Sequence, residues 1–396
     1  MKTYDLIVCG AGPGGSIAAR NAARQGMKVA LIERDKLPRH KTCGGGIPST
    51  VIEHLQGLDP KTFVESEVKY IRHTLNFTDK ATTAINLPGS DNDLSIWMVR
   101  RSVFDNALAM QAVKAGVDLI EETTVSSIKR KDSEVELHAK QNNNREDFIA
   151  KSRFLIGADG AKGQVSKAAG LRTNRKNVTA IEIEYPYNWE ERNQDLKQDV
   201  MHLEYGAIPG GYAWVFPKKD HLNIGGGIIN SGFLRPGQNK KEIIHNAISG
   251  YLRYLEIPHS EDELTYFSHP IPVWNGREPL QTDDKRILLI GDAAGLVNPY
   301  LGDGISHAIT SGAIAAECIS NDTVEQYTDK IYDKLGLHFN ASRRIANIFY
   351  RFPRALYPLV KRPRSAHHAM EILCGNTPKL SNSVSQSVFN WMFGFK

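Results

Sequence analysis

Residues 4–9 form a short apolar run that leads straight into Gly10-Ala-Gly12-Pro-Gly14-Gly15. Gly14 to Gln25 then carries helical spacing and stops at Gly26. A second apolar run, Val29 to Ile32, ends at Glu33. Strand, glycine turn, helix, strand and acid within about 30 residues define a βαβ unit that holds a dinucleotide. Gly10, Gly12 and Gly15 tighten the turn, admit a pyrophosphate to the backbone and let the helix pack on the strand. The helix amino terminus then turns its free N–H groups toward phosphate charge. Glu33 is placed to accept from ribose hydroxyls, and an acid there disfavours a 2′-phosphate. Gly14 and Arg34 complete this first set of cofactor-binding candidates.

Two more glycine-and-acid clusters follow far downstream, Gly157-Ala-Asp159-Gly160 and Gly291-Asp292-Ala-Ala-Gly295. Each ends an apolar strand. A carboxylate at Asp292 can accept from ribitol hydroxyls near the pyrophosphate. Gly302-Asp303-Gly304-Ile305 then opens a helix, whose N–H groups can stabilise negative charge on a reduced flavin. Three such points, widely separated in sequence, imply one long cofactor held at several places. FAD fits, and it makes the chain a redox enzyme. Asp159, Asp292, Gly304 and Ile305 join the cofactor set. Arg101, just before a helix, reads either as a cofactor contact or as a surface arginine.

With 396 residues the chain exceeds one compact core. The expected class is α/β: a Rossmann-like FAD-binding domain, an inserted antiparallel β-sheet substrate domain and a C-terminal helical segment. The expected division gives residues 1–60, 96–178 and 275–325 to the FAD domain. Residues 61–95 and 179–274 go to the sheet domain, and 326–396 to the helical segment. Lys36 to Ser49 reads as loop, and Thr179 to Val273 reads as strand-rich.

The 49 basic and 44 acidic residues leave +5, a mixed-sign surface with no array for nucleic acid. Cys9, Cys43, Cys318 and Cys374 are too scattered for a disulfide frame or a metal site. They indicate a reducing, cytoplasmic setting. No signal peptide is expected. Ile287 to Ile319, the longest weakly charged stretch, contains Asp292, Asp303 and His307, which argues against a spanning helix.

The chain resembles the FAD-dependent geranylgeranyl reductase family, within the para-hydroxybenzoate hydroxylase-like flavoproteins. The resemblance rests on the amino-terminal fingerprint, Lys41-Thr-Cys43-Gly44-Gly45-Gly46-Ile47-Pro48, Val99-Arg100-Arg101, the Asp292 turn and Gly302 to Ile305. Most specific is Pro209-Gly-Gly-Tyr212-Ala-Trp214-Val-Phe216-Pro217, followed by Gly225-Gly-Gly227. The resemblance implies FAD contacts at Glu33, Cys43, Gly44, Arg101, Val125, Asp292, Gly304 and Ile305, and a wall above the flavin at Tyr212 and Trp214. The cysteine loop looks closer to the chlorophyll-pathway branch than to the archaeal lipid branch.

The implied reaction saturates C=C bonds of a polyprenyl (geranylgeranyl) chain by hydride transfer from reduced flavin. Such an alkene has no charge handle, so an apolar channel must position it. Tyr212, Trp214 and Phe216 alternate along a strand and share one face. They are the substrate-site candidates. Cys43 reads either as a catalytic thiol beside the flavin or as a small filler. The external donor is NAD(P)H or a ferredoxin-type reductant. Phe349 to Arg364 interleaves aromatic and basic residues. It reads as a helix pair packed on the FAD domain or as a peripheral membrane contact. A class A monooxygenase acting on an aromatic or quinone-type substrate is the main alternative. A flavin halogenase and a non-catalytic electron-transfer flavoprotein are the others.

Overall fold

The computed structural model describes residues 1–370 except 90–92, 132, 143–145, 174–175, 192, 364–366 and 368. Cys374, Arg364 and the end of the C-terminal segment lie outside the described residues.

The first sheet grows from Lys2–Cys9. This strand runs parallel to Val29–Ile32 on one side and to Asp147–Gly157 on the other, and Val29–Ile32 pairs with Asp118–Ile120. Strands of this kind are buried on both faces, which is why they read as unbroken apolar runs. All four residues of Val29–Ile32 are buried. Asp147–Gly157 carries two partners in succession along its free edge. Its first half runs antiparallel to Val135–Gln141, and its last three residues run parallel to Ile287–Leu289. Late sequence therefore closes a sheet that early sequence begins. The helices Pro13–Arg24, Arg101–Lys114 and Ile305–Ser320 pack together against it.

The register matters for function. Cys9 pairs with Ile32 and with Gly157, and Gly157 pairs with Leu289. The carboxyl ends of these parallel strands are level, so the turns that follow them emerge along one edge. Open α/β sheets bind their ligands at that edge.

The second sheet has seven strands, in the order Phe267–Pro272, Asn177–Pro186, His221–Ile228, Gly211–Pro217, Val200–Tyr205, Tyr70–Leu75 and Thr78–Ala84. Val200–Tyr205 and Tyr70–Leu75 run parallel, and the other neighbours run antiparallel. Every residue of Val200–Tyr205 is buried, so both faces are covered. On one face lies the helix Lys240–Tyr254, with Ile244, Ile248 and Tyr251 in a shared core. On the other, Met201, Leu203 and Tyr205 line a cavity.

Three expectations need adjusting. The strand-rich region contains the helix Lys240–Tyr254, whose apolar spacing covers the back of the sheet. The loop after Lys36 ends in a short strand, Gly46–Pro48, paired with Ile96–Val99. The C-terminal helices do not pack on the first domain alone. Phe339 meets Trp274 and His307, but the Phe349 and Tyr357 rings lie 5.1 and 6.3 Å from Tyr205 of the second sheet. The Tyr357 hydroxyl donates to the His73 carbonyl at 3.0 Å. These aromatics explain the site: an amphipathic helix covers whichever apolar face remains open, and the cavity face of the sheet is that face.

Candidate functional site

The three glycine-and-acid turns converge on one cavity of about 1250 Å³. That exceeds the ~300–1,000 Å³ usual for a single small-molecule site. All of the residues proposed from sequence line it: Gly10, Gly12, Gly14, Gly15, Glu33, Arg34, Cys43, Gly44, Arg101, Val125, Asp159, Asp292, Gly304, Ile305, Tyr212, Trp214 and Phe216.

At the fingerprint the backbone leaves no space for side chains. Gly10 has φ +108°, and a Cβ there would lie 2.3 Å from the Ala158 carbonyl oxygen. A Cβ on Gly15 would lie 1.9 Å from the Gly10 carbonyl oxygen. Gly12 differs, because the nearest atom to its hypothetical Cβ is Arg39 Nη2 at 3.9 Å. The protein itself does not require a glycine there, whereas a close-lying phosphate would. Beside it, Ala11 N–H donates to Glu33 Oε2 at 2.8 Å, and Arg39 Nε lies 3.5 Å from Glu33 Oε1. Arg34 lies at the exposed rim and pairs with Asp35.

Arg101 is no surface arginine. It is buried, and its Nε and Nη2 each donate to Asp105 at 2.8 Å in a two-pronged pair. Arg39 Nη1 shares the same carboxylate at 3.2 Å. The Cys43 side chain also interacts electrostatically with the Arg101 guanidinium. Cys9 and Cys318 are buried core residues, whereas Cys43 is half-buried. Among the described residues no cluster of His, Cys, Asp and Glu could hold a metal ion.

From Asp292 the chain passes through Asn298-Pro-Tyr300-Leu301 to the helix Ile305–Ser320. Asn298 braces this loop, because its side-chain oxygen accepts from Tyr300 N–H at 2.8 Å and its amide donates to Ser342 at 3.2 Å. Asp303 gives one oxygen to Ser306, while Oδ1 is buried without a hydrogen-bond partner in the protein. His307 stays structural: its ring donates to the Asp303 carbonyl at 3.0 Å. The open Gly12 turn, the lone Asp303 oxygen and the uncapped amino end of Ile305–Ser320 together fit an FAD.

The second half of the cavity is aromatic and aliphatic. Along Gly211–Pro217 the rings of Tyr212, Trp214 and Phe216 follow one another at 5.8 and 5.9 Å. Gly225 pairs with Trp214, and a Cβ on Gly225 would lie 2.3 Å from Trp214 Cζ2. The glycine run is thus the floor on which the indole lies. The Tyr212 hydroxyl donates to the Leu301 carbonyl, and its ring stacks on Tyr350 at 6.4 Å. Beyond them the wall continues through Tyr205, Leu203, Met201, Leu356 and Val360. Burial pushes the hydroxyls of Tyr205, Tyr212 and Tyr300 up, so these three rings carry no charge at neutral pH. His202 lies on the same sheet but not among the lining residues. Burial lowers its pKa to about 3, so it stays neutral.

Sequence reasoning missed Tyr300, Tyr205 and Glu182 in this lining. Tyr300 had a signal, since it lies between the Asp292 and Gly302 motifs. Tyr205 and Glu182 had none, because only the pairing of distant strands turns them inward.

Residues 3–320 match the family described as an FAD binding domain. A digeranylgeranylglycerophospholipid reductase of Methanothrix thermoacetophila is 32% identical over 321 residues, covering 80% of this chain and 78% of that protein. A geranylgeranyl bacteriochlorophyll reductase-like structure from Thermoplasma acidophilum superposes with a TM-score of 0.74 at 23% identity, over 100% of this chain and 98% of that one. A flavin-dependent brominase superposes at 0.73 with 19% identity, over 100% of both chains. These two structures share the fold. The match to the FAD domain and the reductase relative at 32% identity show that the chain belongs to the FAD-dependent geranylgeranyl reductase family and is an oxidoreductase of that type.

Proposed function

We propose that this protein saturates isolated C=C bonds in the polyprenyl chain of a lipid. The observation that carries this reading is the continuity of the cavity. It runs from the glycine fingerprint past Cys43 and Trp214 along a largely aromatic and aliphatic wall shaped by the second sheet and the C-terminal helices. Relatives named as reductases of digeranylgeranyl glycerophospholipids support the substrate class. They favour an archaeal-type lipid over the chlorophyll ester suggested by the cysteine loop.

FAD, when bound, supplies hydride. In this reading Gly10, Gly12, Gly14 and Gly15 admit its phosphates, and Glu33 and Arg34 hold its ribose end beside Val125. Arg101, Asp159, Asp292, Gly304 and Ile305 hold the remainder, with Cys43 and Gly44 at the ring. Tyr212, Trp214 and Phe216 exclude water and orient the alkene, which polar groups cannot grip. Residues 1–60, 96–178 and 275–325 act as the cofactor-holding unit, 61–95 and 179–274 as the substrate sheet, and the described residues from 326 onward as its cover. The electrons come from NAD(P)H or a ferredoxin-type donor.

The test reduces the flavin-loaded protein with dithionite without oxygen. It then offers geranylgeranyl diphosphate, a geranylgeranyl glycerophospholipid, a chlorophyll ester and a prenyl quinone. A gain of two mass units per saturated bond is expected, most with the phospholipid. No gain on any of the four refutes the reading.

No helix among the described residues is long and apolar enough to cross a membrane. Phe352 is nonetheless exposed between the two helices that cover the cavity, with the Arg351 guanidinium over its ring. We propose that this corner touches anionic lipid peripherally. The protein should then sediment with anionic vesicles at low salt and be released at high salt. Failure to sediment at low salt refutes this contact.

A further inference from the structure

Glu182 lies in the strand Asn177–Pro186, buried, with its side chain among the cavity lining. Register pairs Glu182 with Gly225, and Gly225 with Trp214. The three positions share one face. Because Gly225 carries no side chain, the Trp214 indole lies across it toward Glu182. Trp214 Nε1–H donates to Asn223 Oδ1 at 2.8 Å, and the Asn223 side chain in turn favours the charged form of the nearby Glu182. From the other side, Cys43 N–H donates to Glu182 Oε1 at 2.6 Å. One carboxyl therefore joins the glycine-rich loop at the cofactor half to the aromatic wall at the substrate half.

An anchor for the Cys43 loop needs only an acceptor, and a neutral amide would suffice. A buried carboxyl is costly when charged and persists there most readily with its proton on. The groups around it are Asn223 from the adjoining strand, Lys218 from the turn after Gly211–Pro217, Glu184 from its own strand, His269 from the neighbouring strand, and Cys43 and Lys41 from the loop. Burial pushes Glu182 up to about 7 and outweighs the opposing pull of Cys43 N–H, Asn223 and Lys218. Burial also lowers Lys218 to about 8, and its ammonium donates to the Val99 carbonyl at 2.9 Å.

We propose that Glu182 stores the proton that saturation places on the second alkene carbon. The role rests on the prenyl-reducing function. Hydride, with its two electrons, goes from the reduced cofactor to one alkene carbon. The Glu182 O–H bond breaks as a C–H bond forms at the other carbon. The carboxylate then recovers a proton from water. The alkene is reduced and the flavin is oxidised, and the only other input is the proton returned from solvent.

Glu182→Gln keeps an acceptor for Cys43 N–H and removes the proton. In the wild type the acid form is the donor, so single-turnover saturation should be full below about pH 7 and fall as pH rises through it. E182Q should be roughly 100-fold slower, within the ~10²–10⁴-fold span of general acids, and should lack that limb. A second readout needs neither cofactor nor substrate. Infrared titration of the flavin-free protein should show a protonated-carboxyl band that fades as pH rises through about 7 and is missing in E182Q. An active wild type matched by E182Q in rate and pH profile overturns the role of Glu182 alone. So does the absence of that band from the wild type. A flavin-loaded wild type that saturates no prenyl chain overturns the functional reading, and this role with it.

Discussion

Gly15→Ala should yield colourless protein that unfolds at markedly lower urea. Its new Cβ would lie 1.9 Å from the Gly10 carbonyl oxygen and 3.0 Å from Ala158 Cβ. Neither neighbour can move aside, because Gly10 is held in its turn and Ala158 follows the strand paired with Lys2–Cys9. Overpacking costs about 1–3 kcal/mol in ordinary cores, and more where backbone must yield. We expect a loss of about 3 kcal/mol together with loss of flavin. Gly12→Ala is the informative control. Its Cβ would come no closer than 3.9 Å to any atom, at Arg39 Nη2. G12A should therefore keep the wild-type urea midpoint and still lose flavin, since its methyl occupies the space of a phosphate. Visible absorbance and urea unfolding measure both effects. A yellow G15A with an unchanged midpoint would contradict this account of the turn.

Gly225→Ala should separate substrate handling from cofactor binding. Its Cβ would lie 2.3 Å from Trp214 Cζ2 and 2.8 Å from the Ile181 carbonyl oxygen. The indole is the softer neighbour, so it lifts off the sheet into the cavity. Misplacing a positioning group by about 1 Å costs around 100-fold in rate. Flavin content should stay near wild type, because Gly225 lies outside the fingerprint and its turns. Single-turnover saturation after dithionite reduction reports the rate. Wild-type turnover in G225A would mean that the Trp214 face does not position the alkene.

The parts of this molecule that were legible in sequence are those whose logic is local. Strand, glycine turn, helix and Glu33 lie within one short stretch, and each residue's role follows from its neighbours. The period of two that aligns Tyr212, Trp214 and Phe216 is equally local. The parallel pairing of Val200–Tyr205 with Tyr70–Leu75 is not, since nothing in either strand identifies the other. That pairing turns Tyr205 into the cavity. Glu182 alternates with Ile181 and Ile183, which in isolation describes a solvent-facing acid. It becomes a lining residue because the pairing of distant strands turns it inward and the Cys43 loop covers that face. The same holds for Phe349 and Tyr357. Their spacing requires that they pack, but their partner is the face of a sheet assembled from remote strands. Arg101 shows the limit from the other side: its place at the start of a helix was plain, yet its burial depends on Asp105 one turn later and on Arg39 from a distant loop.

The central claim is that one continuous cavity brings a reduced flavin against a prenyl alkene. Anaerobic stopped-flow mixing tests it most directly. Reduced, flavin-loaded protein is mixed with a geranylgeranyl glycerophospholipid, and the return of oxidised-flavin absorbance is followed without oxygen. The account predicts that absorbance returns, with one flavin oxidised for each bond saturated. A flavin that stays reduced with lipid and reoxidises only when oxygen is admitted would contradict it.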